Sequence, residues 1–190
     1  ALAENMVKEK DILLLPEYKT SLISESSKLY EYRQYPGKFP IEEIFEAASL
    51  SGFRNLETAK KQVKFLKSNN EDVRYWAMMG LRCQNPDVQK QFKNEIINQI
   101  NDTYQPVAIT AAAIAYDVFQ DKSAGEFLIR AIQNENADLA LMAVNFLLYV
   151  NDANPFVNTI KQITDKKGID KNVRAACSDV LGKLGLIKND

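Results

Sequence analysis

The chain has 190 residues, of which 46% are hydrophobic, so it is long enough to bury a sizeable core. Its 24 basic and 25 acidic residues nearly balance and form no long run of one sign, which argues against nucleic acid as a partner. The chain has no histidine, and therefore lacks the commonest general base and metal ligand, so we expect no metal or other cofactor. No apolar segment reaches the roughly 20 residues of a membrane span.

Residues 1–40 mix prolines, tyrosines and a short apolar run, as in DILLLPE and YEYRQYPGKFP. This composition predicts an irregular N-terminal segment that caps the first repeat; the resemblance described below offers the alternative of a linker from a catalytic domain. Its densest aromatic cluster is Tyr30, Tyr32, Arg33 and Tyr35. Tyr rings stack on sugar faces and Arg binds sulfate or carboxylate bidentately, so these four residues are binding candidates. The competing interpretation is packing against the first repeat or against another domain.

Residues 41–190 read as a helical array that begins with IEEIFEAASLSGF, whose inner stripe we predict from Ile44, Ala48 and Leu50 or Ser51. Four later segments repeat one pattern: an apolar residue, a small residue or Cys four positions on, and an apolar residue four further. These anchors are Val73, Ala77, Leu81; Val107, Ala111, Ala115; Leu139, Ala143, Leu147; and Val173, Cys177, Leu181. The first anchors recur after 34, 32 and 34 residues. Such spacing predicts one buried stripe per helix, with a small residue that allows close helix packing.

Other amphipathic patterns lie between the anchor series, so the repeating unit is a helix, a turn and a second helix. Their apolar positions are Ala59, Val63, Leu66; Val88, Phe92, Ile96, Ile100; Phe127, Leu128, Ala131, Ile132; and Phe156, Val157, Ile160, Ile163. A hairpin of about 33 residues cannot bury its apolar face alone, so neighbouring hairpins must stack. The prediction is an all-α fold, an α-α superhelix of antiparallel helix pairs. Strand signals are almost absent.

Helix starts carry expected capping residues. Asn85-Pro86 and Asn154-Pro155 each offer an N-cap side chain followed by Pro at the first helical position. Asp72, Asp138 and Asp170 lie near helix starts, where a carboxylate favours the helix dipole. The adjacent pairs Glu42/Glu43 and Glu71/Asp72 diverge on a helix and are interpreted as helix-start or solvated residues.

The stretch RYWAMMGL contains the only tryptophan, Trp76, three residues after the Val73 anchor. We interpret Trp76 as a wedge between helices, whereas Tyr75 and Arg82 point elsewhere and are binding candidates. Arg74 and Arg174 are predicted to pair with carboxylates of neighbouring repeats. Cys83 and Cys177 are predicted to be buried thiols, since no CxxC motif exists, although a disulfide stays open.

The repeats resemble short HEAT-like repeats, whose second helices often begin with Asp-x-Val-Arg, as in EDVRYWA and, with Asn for Asp, KNVRAAC. The two middle repeats depart from this pattern, with Ala108 and Ala140 in place of Arg. A tetratricopeptide array is the alternative, because Trp76-Ala-Met-Met-Gly80 is similar to its Trp-x-x-Leu-Gly motif. No other repeat contains that motif.

DILLLPE, then YPGKFPIEEIFEAASLS, then DVRYWAMMGL resemble the C-terminal region of a group of bacterial sulfatases, in which HEAT-like repeats follow an alkaline-phosphatase-like catalytic domain. The resemblance covers Asp11 to Leu81 by motif. Such enzymes activate the Cys or Ser of a (Cys/Ser)-x-Pro-x-Arg motif, and none of the six prolines here has Cys or Ser two positions before it. The resemblance implies a non-catalytic C-terminal region of a periplasmic or secreted sulfuric ester hydrolase.

The expected function is therefore structural support or an interaction surface, with no catalytic residue in this chain. The implied partners are a catalytic domain of the same polypeptide or another protein, and a sulfated glycan. The alternative is a free-standing HEAT-like module for protein-protein interaction.

Overall fold

The computed structural model describes residues 40–187, and this part of the chain is helical, without strands. The all-α prediction is therefore confirmed. Short 3-10 turns lie at Leu50–Gly52, Gln99–Asn101 and Asn154–Phe156. The α-helices are α1 (Ile41–Ser49), α2 (Leu56–Phe65), α3 (Glu71–Arg82), α4 (Pro86–Gln91), α5 (Lys93–Asn98), α6 (Gln105–Phe119), α7 (Lys122–Ile132), α8 (Ala137–Leu147), α9 (Val157–Asp165) and α10 (Lys171–Lys183).

The chain divides into two compact units between Gln99 and Ile100. In the described part of the first unit, α1 and α2 both pack against α3, and α4 packs against α2. In the second unit, α6, α8 and α10 pack side by side in that order. Helix α7 packs against α6 and α8, and α9 packs against α10 and α7. Short turns join these helices, so the second unit consists of stacked helical hairpins in two layers.

The four anchor series form the buried stripes of α3, α6, α8 and α10. All twelve anchors are buried, and the most exposed, Leu139 and Leu181, reach only 3%. Helix α6 is buried along ten consecutive residues, from Pro106 to Ala115. Its alanines leave little side-chain volume between the helices, which allows neighbouring backbones to approach closely. The sequence repeat thus corresponds to a repeat in packing.

Three of the anchor-bearing helices also start in the same way. Asn70, Asn136 and Asp170 are their N-cap residues, each three positions before the first anchor. Each side chain accepts hydrogen bonds from the backbone N–H groups two and three residues on, at 2.8–3.2 Å. These bonds satisfy donors that have no partner within the helix. Helix α6 differs, because Tyr104 is its N-cap residue and makes no side-chain capping bond.

Several local predictions need correction. Asn85 is the N-cap residue of α4 but makes no side-chain capping bond, and Asn154 lies inside a 3-10 turn instead of capping a helix. Asp72 lies in the first turn of α3, as predicted for this carboxylate, yet it is fully buried and not solvated. In α1 the second buried residue is Ala47, since Ala48 is only partly buried.

The helix predicted over Val88 to Ile100 is interrupted at Phe92, where the backbone (φ −116°, ψ 28°) leaves the helical region. Helices α4 and α5 lie on either side of this break. The burial pattern differs from the predicted one as well: Gln89 is buried, whereas Val88 is only half-buried. The apolar stripe assumed by the prediction is therefore not the buried stripe of α4.

Candidate functional site

The predicted binding residues fall in two places. Tyr30, Tyr32, Arg33 and Tyr35 lie outside the described residues, so they stay a prediction. Tyr75 and Arg82 lie on α3 and are both half-buried. Their role as binding residues also stays a prediction.

Trp76 occupies the position between α1 and α3. It packs, partly buried, against the cluster of Ile44, Ala47 and Val73. The edge of the neighbouring Tyr75 ring meets Trp76 with 5.5 Å between the ring centroids and an interplanar angle of 71°. Such edge-to-face pairs add packing energy beyond buried area. The predicted wedge between helices is confirmed.

Arg174 ties the start of α10 to the end of α9. One nitrogen of its guanidinium donates to the Thr164 carbonyl and the other to the Lys166 carbonyl, both at 2.9 Å. Arg74 makes an equivalent contact at the start of α3, where it donates to the Ser68 carbonyl at 3.0 Å. A cation at a helix C-terminus is favoured by the helix dipole and by the carbonyls left without intrahelical partners. The predicted pairing with a carboxylate is therefore wrong for Arg174.

A buried network of glutamine side chains crosses the first unit. Gln62, fully buried, donates through Nε2 to the Leu50 carbonyl at 3.0 Å. Gln84 donates to Gln62 Oε1 at 3.0 Å and to the Phe53 carbonyl at 2.8 Å. The network fixes the 3-10 turn after α1 to α2 and to the end of α3. Sequence reasoning missed it because glutamine is usually exposed.

Gln89 adds a second link, from α4 back to the end of α3. Its Nε2 donates to the carbonyls of Leu81 and Arg82, at 2.9 and 3.2 Å. The Leu81 carbonyl also accepts the backbone N–H of Gln84 at 3.1 Å, so Gln89 adds a second hydrogen bond there and one to the Arg82 carbonyl at the helix C-terminus. Neutral amides offer no acid or base for catalysis, and we interpret the whole network as structural. The one signal in the sequence is Gly80, whose missing side chain leaves space for Gln62.

A cleft of about 750 Å³ opens in the second unit between the α7–α8 turn and the α9–α10 turn. Ile132, Ala140, Ile163 and Val173 form its buried apolar floor. Glu135, Lys166 and Asp170 contribute charges to its lining. Asp170 already accepts two N–H groups as the N-cap of α10, so its carboxylate is committed to the helix. The cleft suits an apolar side chain better than it suits acid-base chemistry.

The turn after α8 is held from two sides. Asp117 of α6 accepts hydrogen bonds from the backbone and side chain of Asn151, at 2.6 and 3.0 Å. Lys183 of α10 donates to the Val150 carbonyl at 2.9 Å. This turn presents Tyr149, which is 73% exposed. The aromatic ring of Tyr149 is therefore exposed on a turn whose backbone is held by hydrogen bonds.

Both cysteines are free thiols, with Cys177 buried and Cys83 half-buried. The prediction of buried thiols is confirmed for Cys177 and too strong for Cys83. Within residues 40–187, no group of three or more His, Cys, Asp or Glu side chains is placed to hold a metal ion. None of the helices in the same range is long and apolar enough to cross a membrane.

Comparisons with models of known protein families, with curated proteins and with solved structures find no match to this chain. The resemblance to sulfatases and to HEAT-like repeats therefore depends on the quoted sequence motifs and the repeat spacing.

Proposed function

We propose that this chain is a non-catalytic helical-repeat region that supports or docks to a sulfatase catalytic domain, in the same polypeptide or in another protein. The parent enzyme would hydrolyse sulfate esters in the periplasm or outside the cell, and the repeats would extend its contact with a sulfated glycan. The supporting observation is the repeated packing unit: capped helices with buried anchor stripes. Such arrays present extended surfaces and serve mainly in support and recognition.

The chemistry of the described side chains is consistent with this role. The polar side chains buried in the described part of the first unit are those of Thr58, Gln62, Asp72, Gln84 and Gln89. Asp72 is the one ionisable group among these five, and it lies in the first turn of α3. The exposed carboxylates Glu57 and Asp87 form ion pairs with Lys60 and Lys90, each three residues along the same helix. Such pairs of opposite charge at a spacing of three residues stabilise the exposed surface of a helix.

The test combines an enzyme assay with the upstream reading frame. We expect the purified chain to hydrolyse neither an aryl sulfate nor sulfated sugars. We also expect the gene to encode, upstream and in frame, a domain with a (Cys/Ser)-x-Pro-x-Arg motif. Hydrolysis by the isolated chain that a single substitution abolishes would contradict the proposal, and so would a stop codon and an independent start before this chain.

A second candidate is a free-standing module for protein-protein interaction. The observation that favours it is the exposure of large aromatic residues, Phe53 at 59% and Tyr149 at 73%, since aromatics are enriched in interfaces. If this candidate is correct, Tyr149→Ala should weaken capture of a partner without lowering the stability of the chain. Capture that is unchanged by substitution of both aromatics would count against it.

A further inference from the structure

Helix α2 has one solvent-exposed face, and that face is entirely charged. Its exposed residues are Glu57, Lys60, Lys61 and Lys64, and exposed Lys67 follows directly after the helix. Residues 54–67 contain five basic residues, Arg54 and the four lysines, against the single acid Glu57. The local net charge is therefore +4 in a chain whose total is −1. We call Lys60, Lys61, Lys64 and Lys67 the lysine face.

The lysines of α2 surround their only acidic neighbour on the helix. Lys60 Nζ bonds Glu57 Oε1 at 2.7 Å. The pKa of Glu57 is lowered first by that hydrogen bond, then by the charge of Lys60, and more weakly by the charges of Lys61 and Lys64. One carboxylate cannot neutralise three ammonium groups. Within the described residues, Lys61, Lys64 and Lys67 have no ion-pair partner.

The spacing places several cations within reach of one extended ligand. Lys60 and Lys64 lie one helical turn apart, about 6 Å along the axis, with Lys61 beside them. Lysine ammonium groups are compact point charges on flexible stems, which suits exchanging contacts with many anions. Lysine is depleted in protein-protein interfaces. A polyanion therefore fits this face better than a protein surface does.

The types of side chain on the exposed face of α2 also indicate which polyanion binds there. Duplex DNA binds basic side chains through its phosphates, so it is the competing polyanion in the experiment below. Proteins that bind single strands stack aromatic rings on the bases, and membrane-surface helices insert apolar side chains. Every exposed residue of α2 is charged, so the face offers neither. A sulfated polysaccharide needs only an array of cations, because its sulfate esters repeat as anions along the sugar chain.

We propose that the lysine face of α2 binds a sulfated polysaccharide. This inference deepens the proposed function and rests on its contact with a sulfated glycan. It assigns that contact to residues of the first unit other than the predicted cluster of Tyr30, Tyr32, Arg33 and Tyr35. The binding requires no catalytic domain, so the isolated chain suffices to test it.

The experiment measures binding of the full chain to heparin, as the probe, by calorimetry over a series of salt concentrations. The variant Lys60→Gln/Lys61→Gln/Lys64→Gln should bind about 100-fold more weakly, because each lysine near an anionic surface contributes roughly fivefold. Its affinity should also fall less steeply with salt. The matched control, Lys161→Gln/Lys167→Gln/Lys171→Gln, removes three exposed lysines from the second unit and should bind like the wild type.

A double variant, Lys61→Gln/Lys64→Gln, keeps the Glu57–Lys60 ion pair and therefore separates weaker binding from a loss of helix stability. It should still bind heparin about 30-fold more weakly than the wild type. Desulfated heparin should bind poorly. Equal loss in the control triple variant, equal binding of desulfated heparin, or tighter binding of DNA or of anionic vesicles would each overturn the inference. The upstream reading frame tests the proposed function separately, so the two failures are distinguishable.

Discussion

At the scale of one residue, Gly80 lies inside α3, although glycine weakens a helix. Its close contact with Gln62 explains why a glycine is needed there. A Cβ built at this position would overlap the amide nitrogen of Gln62 and lie 2.8 Å from its Cδ. Gln62 cannot move aside cheaply, because it is fully buried and its amide makes two hydrogen bonds. Gly80 therefore leaves the space that the buried amide of Gln62 occupies.

We predict that Gly80→Ala destabilises the chain by about 1 kcal/mol. Overpacking costs on the order of 1–3 kcal/mol, and the better helix propensity of alanine offsets about 1 kcal/mol of it. Urea unfolding of both proteins measures the difference. The control is Gly52→Ala in the same unit, where nothing lies within 4 Å of the added Cβ and we expect less than about 0.5 kcal/mol of change. A Gly80→Ala variant as stable as the wild type would refute the tight contact.

Cys177 provides a prediction for alkaline pH. Burial raises the pKa of its thiol from 9.0 to about 11, and a hydrogen bond with Thr164 opposes part of the rise. Between these two values the unfolded chain loses the thiol proton while the folded chain keeps it. The contribution to stability is therefore complete below pH 9 and is lost as the pH rises towards 11. Its size is roughly 1–3 kcal/mol.

Urea unfolding near about pH 8 and about pH 10.5 tests this linkage. Cys177→Ala removes the thiol, so its stability should fall less between the two pH values than that of the wild type, although the smaller side chain makes it less stable at both. Equal losses in the two proteins would show that Cys177 does not titrate as its burial requires.

At the scale of the helix, N-capping explains where the repeated helices begin. We predict that Asn136→Ala and Asp170→Ala each cost about 1 kcal/mol, because each side chain accepts two backbone N–H groups that have no other partner in the helix. Thermal unfolding followed by circular dichroism measures the loss. Asn85→Ala is the matched control, since Asn85 is the N-cap residue of α4 without a side-chain capping bond. A loss as large at Asn85 as at Asp170 would contradict this explanation.

The same scale shows what sequence reasoning could and could not predict. The four anchor helices were predictable because a stripe at every fourth residue, with a small residue at its centre, has few structural meanings. The break at Phe92 was not, because the residue buried in α4 is Gln89, and a periodicity of apolar residues does not count glutamine. A glutamine amide is buried in place of an apolar side chain only where backbone carbonyls lie close enough to accept its hydrogen bonds. The linear sequence does not show where those carbonyls lie. The carbonyl partners of Arg174 were missed for the same reason.

For the whole molecule, the sequence repeat predicts the packing within each unit. It does not by itself predict which surface binds a partner. The anchors point inward, so the surfaces left for partners are the outer faces of helices such as α2 and fixed turns such as the one that presents Tyr149. The four lysines are visible in the sequence within residues 60–67, but their exposure and the ion pair between Lys60 and Glu57 required the structure. The sulfatase resemblance stays a proposal that depends on the upstream gene.

The most direct test of the central claim, that four equivalent helices with buried anchor stripes organise this protein, is amide hydrogen exchange resolved by residue. We expect protected amides in α3, α6, α8 and α10, with the slowest exchange around the middle anchor of each series: Ala77, Ala111, Ala143 and Cys177. Exchange in any one of these helices as fast as in an unstructured chain, or protection in the alternating pattern of a β-strand, would contradict it.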